Sequence, residues 1–273
     1  MKKLLALILA ALMLLTLVAC SDEDEMEEEL KDYLVNDKVV DNVTNEDGET
    51  FYFDLIDSET VIITGYNSGD KAHPLNIPET LDGKAVVAIA DEAFYGCSKI
   101  NSITLPTTVT SIGAYAFARC EMVTAIAIPN TVTTIGEGAF YGCKAATTLT
   151  IGTGISGIEK YTFWGLTSLT SVTVPANVKT VAQGAFYGCT ALESVTVEEG
   201  VELIGAQAFQ NCTVLATLKL SASIVSIGDH AFDGGSLYVE GIELPTDTSC
   251  AAYKYVTEVL KPENKPVEQT PAQ

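Results

Sequence analysis

From residue 94 to residue 232 the chain repeats one arrangement of apolar and polar positions every 23 residues. Its marker is phenylalanine: Phe94, Phe117, Phe140, Phe163, Phe186, Phe209 and Phe232 each stand 23 residues from the next. Alanine precedes it at Ala93, Ala116, Ala139, Ala185, Ala208 and Ala231, with Thr162 the exception, so this position takes a methyl-sized neighbour. Six residues after each of the first six Phe comes an apolar or small residue: Ile100, Val123, Ala146, Leu169, Leu192 and Leu215. Nine and eleven after it come the pairs Ile103/Leu105, Ile126/Ile128, Leu149/Ile151, Val172/Val174, Val195/Val197 and Leu218/Leu220. A spacing of two predicts a strand with one face buried, and Pro106, Pro129 and Pro175, which cannot donate to a ladder, mark strand ends. Fifteen and eighteen after Phe, the pairs Val109/Ile112, Val132/Ile135, Ile155/Ile158, Val178/Val181, Val201/Ile204 and Ile224/Ile227 turn inward again.

One such turn cannot cover its own apolar face. Turns stacked at the strand spacing of about 4.8 Å bury it continuously, with like residues in ladders and the two ends capped. A clear copy, Ser111-Ile112-Gly113-Ala114-Tyr115-Ala116-Phe117-Ala118-Arg119-Cys120, resembles the BspA-like leucine-rich repeat, and the resemblance covers roughly residues 76 to 245. It lacks the asparagine column of the commoner leucine-rich repeat. The resemblance implies a leucine-rich repeat solenoid of short parallel β-strands, with short helical, 3-10 or irregular segments, about seven turns plus terminal caps.

Around this array, residues 33–93 are expected to form a strand-rich N-terminal cap and an expanded first turn, with runs at Phe51-Tyr52-Phe53 and Val61-Ile62-Ile63. The repeats occupy residues 94–245, and Gly234-Gly235 breaks their regularity. Residues 246–260 form the C-terminal cap, with a short helix predicted from Ala251 to Leu260, and the Pro- and Glu-rich residues 261–273 a disordered tail.

The first twenty residues change the setting. Lys2 and Lys3 precede an apolar or small run from Leu4 to Ala19, too short for the roughly 20 residues of a spanning helix. Leu17-Val18-Ala19-Cys20 resembles a lipobox, which implies a signal peptide over residues 1–19, cleavage before Cys20 and lipidation of its thiol. An uncleaved anchor or an ordinary secretory signal is the alternative, and both keep the protein outside the cytoplasm. Residues 20–32 are an acidic linker with eight acids and Lys31 as its one base, expected to extend as a solvated stalk. The formal net charge of −21 argues against nucleic acid as a partner.

No catalytic set is visible. The two histidines, His73 and His230, fall in the cap and on a variable repeat position, and the acids Asp91, Glu92, Glu137, Glu198 and Glu199 occupy solvent-facing positions. Cys97, Cys120, Cys143, Cys189 and Cys212 all come three residues after Phe, where the fourth turn has Leu166 and the last Gly235. Leucine there favours buried free thiols over disulfides, and a zinc site lacks its usual Cys-x2-Cys spacing. Calcium stays open without a recognisable loop, no cofactor is implied, and Cys250 is unassigned.

Two columns are candidates for binding. Tyr95, Tyr141, Trp164 and Tyr187 directly follow Phe and form an aromatic stripe broken by Ala118, Gln210 and Asp233; binding and packing against the next turn are both open to it. Thr150, Thr173 and Thr196 lie between the inward pairs and are expected on the exposed sheet face, although threonine also suits strands for its own sake. BspA-like proteins include adhesins, so the resemblance implies binding of a surface or host protein; with the lipobox at Cys20 and no catalytic set, the chain is expected to be a monomeric, non-enzymatic protein lipid-anchored to the bacterial cell membrane or outer surface. A glycan-binding accessory lipoprotein and an envelope scaffold are the alternatives.

Overall fold

The computed structural model describes residues 41–67, 72–236, 242–243 and 245–260. The signal peptide, Cys20, the acidic linker and the tail from residue 261 lie outside the described residues.

The inward pairs become two faces of a β-solenoid of about eight turns. On the first face run His73–Asn76, Ile100–Thr104, Ala125–Ala127, Thr148–Thr150, Ser171–Val174, Ser194–Val197, Thr217–Lys219 and Ile242–Glu243. On the second run Lys84–Ile89, Ser111–Ile112, Thr134–Ile135, Gly157–Ile158, Thr180–Val181, Leu203–Ile204 and Ser226–Ile227. Pairing between turns is parallel and within the array keeps the 23-residue register, as in Val172 with Val195 and Thr180 with Leu203; at the ends of the first face it shifts, Leu218 pairing with Ile242 and the register slipping between His73 and Pro74. The residues at the inward positions therefore stack on their own equivalents; Ile126, Ile128, Val172, Val174, Val195 and Val197 are buried.

The third side is the Ala-Phe arc, which contains no helix. The residues two before and two after each Phe hold left-handed backbone, as at Tyr115 (φ 53) and Arg119 (φ 59) or Gly138 (φ 61) and Gly142 (φ 69). The chain thereby bends sharply on both sides of the Phe and drives its ring inward. Each arc bonds to the next: Phe94 N–H donates to Ala116 O at 2.8 Å, and Phe186 N–H to Ala208 O at 2.7 Å. The seven rings stack along the axis with centroids 4.9 to 5.9 Å apart and planes within 24°, an arrangement worth about 0.5–1.5 kcal/mol per pair beyond area burial.

Both ends of this ring column are covered. At the N-terminal end Thr50–Leu55 pairs antiparallel with Thr60–Asn67, which runs parallel to Lys84–Ile89. That hairpin sets Tyr66 against Phe94 at 5.2 Å and Phe51 against Tyr66 at 5.0 Å. Tyr66 is fixed in turn by its hydroxyl, which donates to Glu49 at 2.7 Å and lies 2.8 Å from His73 Nε2. At the other end the helical turn Ala251–Lys254 and the wider π-type turn Tyr255–Leu260 bring Tyr255 edge-on to Phe232 at 6.1 Å.

The stack is least regular between the turns of Phe140 and Phe163. There both faces part into separate sheets, and the ring separation is the longest, 5.9 Å. Gly152 stands where three other turns have proline, and a Cβ on Gly152 or Gly154 would collide with carbonyl oxygens of the preceding turn. Asparagine side chains bridge the layer instead: Thr153 N–H donates to Asn130 Oδ1 at 2.9 Å, and Asn177 Nδ2 to Ile155 O at 2.7 Å. Thr162, the exception in the alanine column, belongs to this layer; it is fully buried and its hydroxyl donates to Glu159 O at 2.9 Å.

Candidate functional site

The residue after each Phe leaves the core on the outside of the arc, so its ring meets its equivalents one turn away. Tyr141, Trp164 and Tyr187 do meet: Trp164 stacks on Tyr187 at 4.0 Å and 23°, and Tyr141 stands 6.1 Å from Trp164 at 34°. All three are half-buried. Tyr95 is 46% exposed and stands apart, because Ala118 in the next turn is fully buried; the Arg119 guanidinium lies over the Tyr95 ring at 5.9 Å instead. Asn211 Nδ2 closes the far end of the ridge by donating to the Tyr187 hydroxyl at 2.6 Å.

Two aromatic residues outside the expected stripe belong to this surface. Tyr161 meets Trp164 edge-on at 5.2 Å, and Tyr115 donates to Glu137 at 3.2 Å. Both sit two residues before Phe, where the following turn has glycine: a Cβ at Gly138 would strike the Tyr115 ring, and one at Gly184 the Tyr161 ring at 2.7 Å. The alternation Tyr115, Gly138, Tyr161, Gly184 at 23-residue intervals is the signal that would have found them.

The threonine column lies elsewhere. Thr173 and Thr196 are register partners on the first face, while Thr150 pairs with Ala127. Thr150 and Thr173 are exposed and Thr196 half-buried, and no contact joins them to the aromatic ridge among the described residues. Other threonines serve the fold: Thr124 donates to Asn101 O, Thr147 to Thr124 O and Thr133 to Thr110 O, each 23 residues back. The hydroxyls of Thr150, Thr173 and Thr196 make no such bond among the described residues, which leaves them available.

The cysteines are free thiols; Cys120, Cys143, Cys189 and Cys212 are buried and Cys97 half-buried. Each of the four also donates to the carbonyl of the Phe one turn back, as Cys120 Sγ to Phe94 O at 3.2 Å and Cys212 Sγ to Phe186 O at 3.4 Å. Leu166 fills the same buried position by size alone. Burial pushes the Cys97 thiol up to about 11 and Cys143 to about 12, and raises Cys120 and Cys189 too. The unfolded chain loses these protons from about pH 9 while the folded chain keeps them, so the thiols' contribution to stability is present below pH 9 and declines above it. At pH 8 the native protein should resist iodoacetamide at the buried Cys120, Cys143, Cys189 and Cys212 and take it up fully in guanidinium, as read by mass spectrometry. Rapid native alkylation would contradict their burial.

The histidines are occupied by neighbours: His73 lies 3.1 Å from Glu49, and His230 is bonded at 2.6 Å to Asp233, whose carboxylate raises its proton affinity. Among the described residues no three His, Cys, Asp or Glu side chains gather as metal ligands.

No curated protein matches the chain in sequence. The chain is similar to a leucine-rich repeat protein of T. pallidum, at 28% identity and a TM-score of 0.57 over 70% of this chain and 84% of that one. It also has the fold of the pneumococcal vaccine antigen PcpA, at 19% identity and a TM-score of 0.50 over 76% of this chain and 71% of that one. A leucine-rich repeat solenoid is typically a non-enzymatic binding scaffold. The model of the BspA type leucine rich repeat region matches residues 87–215 and 179–254 in six copies, more than half of the sequence, and the chain therefore belongs to that family.

Proposed function

We propose that the chain is a lipoprotein, held at the bacterial surface through Cys20, that binds a protein partner along the outer arc of its solenoid. The observation that carries this is the Tyr141, Trp164 and Tyr187 ridge: three large rings left half-exposed by a fold that buries every Phe beside them. Gly142, Gly165 and Gly188 follow these rings, so the next residue adds no side chain beside them. Rigid aromatic side chains offer large contact area at low entropic cost and are favoured in protein recognition. A glycan reading needs an open ring face to lie on a sugar; Tyr187 lies against one face of Trp164 at 4.0 Å, which favours the protein partner. The free hydroxyls of Thr150, Thr173 and Thr196 form a second, separate polar surface.

Location and contact are tested together. Protease added to intact cells should remove the solenoid of the wild type, and a Cys20→Ala variant should be shed into the medium. Tyr141→Ala with Trp164→Ala should abolish partner capture by the surface-held chain, whereas Thr173→Val should leave it unchanged. A wild type protected from protease would favour an envelope scaffold, and a glycan array that responds to the aromatic variants would favour the glycan reading.

A further inference from the structure

We propose that Arg119 anchors the partner by taking one of its carboxylates, with the neighbouring ridge packing beside it; this rests on the protein-binding reading above. Arg119 is the sole arginine of the chain, and it stands in a column that the fold reserves for glycine. Two residues after Phe, Gly96, Gly142, Gly165, Gly188 and Gly234 have φ between 68 and 85, and Asn211 has φ 62; Arg119 holds φ 59 there with a full side chain. A non-glycine residue in left-handed backbone costs stability that glycine would not, and five of the other six turns take glycine at this place.

The guanidinium lies 5.9 Å over the Tyr95 ring, which orients the group. The side chain remains exposed. In a chain with 36 acids, Lys84, Lys144, Lys179 and Lys219 all pair with carboxylates, and Glu121, two residues away, is taken by Lys144 at 2.6 Å. Arg119 makes no ion pair and no side-chain hydrogen bond among the described residues. A pre-oriented guanidinium with all five donors free is suited to bidentate carboxylate capture. The net charge of −21 repels acidic surfaces at large. The partner site is therefore an isolated Asp, Glu or C-terminal carboxylate on an otherwise neutral or basic surface.

The test uses the full chain, immobilised in detergent, against a random library of short peptides and an array of sialic- and uronic-acid oligosaccharides. Selected peptides should carry an acid or depend on a free C-terminus, and should bind Arg119→Gly about ten-fold or more weakly. Amidating that carboxyl should weaken binding to wild type equally and cause no further loss on Arg119→Gly. The variant should melt no lower than wild type, because glycine relaxes the left-handed backbone. A lower melting point, or peptides that bind Arg119→Gly as well as wild type, would overturn the anchor. If those peptides still fail on Trp164→Ala, the ridge stands and Arg119 alone is wrong; if Trp164→Ala binds them too, or no peptide binds, both readings fall. Arg119-dependent binding of acidic oligosaccharides without any peptide would transfer the carboxylate to a glycan and overturn the protein partner.

Discussion

Phe140→Ala should lower the unfolding free energy by about 3 to 5 kcal/mol, the usual range for emptying a core Phe site. The ring is 1% exposed and stacks on Phe117 at 5.4 Å and Phe163 at 5.9 Å, so the substitution removes two ring contacts and opens a cavity between turns. The position adds a second effect. Each turn of a solenoid is held only by its neighbours, and Phe140 borders the layer where both faces already part. The variant should uncouple the two halves, so guanidinium unfolding followed by far-UV circular dichroism should show a lower midpoint and a broadened or two-step transition. An unchanged midpoint would refute the ring column as the axis of stability.

Gly136→Ala should cost about 3 kcal/mol or more, at the upper end of overpacking penalties. Four residues before Phe140, the glycine lets consecutive turns touch through their backbones: an added Cβ would fall on Ala114 N and lie 2.6 Å from Ala114 Cα and Gly113 C. Backbone atoms locked in a parallel ladder cannot move aside as a flexible side chain can. Gly142→Ala is the control: its Cβ meets nothing nearer than 3.7 Å, and it should lose only the roughly 1 to 2 kcal/mol of left-handed backbone at φ 69. Equal melting temperatures for the two variants would mean that close turn packing at Gly136 is not limiting.

Most of the array was legible because a solenoid writes its contacts at one sequence interval. The Phe, Ala and strand-pair columns follow from period 23 and period 2 alone, and even the irregular layer was marked by Thr162 and Leu166 stepping out of their columns. What stayed hidden lies off that interval or depends on backbone direction. Nothing periodic links Tyr66 to Glu49 and His73, so the covering of Phe94 could not be read. The arc on either side of Phe rests on left-handed residues as different as Tyr115, Gln207 and His230, whose types do not announce the conformation. The cysteine column looked apolar because Leu166 shares it, yet its thiols donate to the Phe carbonyls one turn back. At the candidate site the stripe was legible as a column, but its contact with Tyr161, and the place of Arg119 over Tyr95, came from the turn geometry.

The most direct measurement replaces Trp164 with a photo-crosslinking phenylalanine analogue in the full chain and irradiates intact cells in their native surroundings. The same analogue at Val225, exposed on another part of the solenoid, serves as reference. A discrete protein adduct from position 164 and none from position 225 is the result expected of a surface protein that recognises its partner through the aromatic ridge. No adduct from position 164, or the same adducts from both positions, would contradict it.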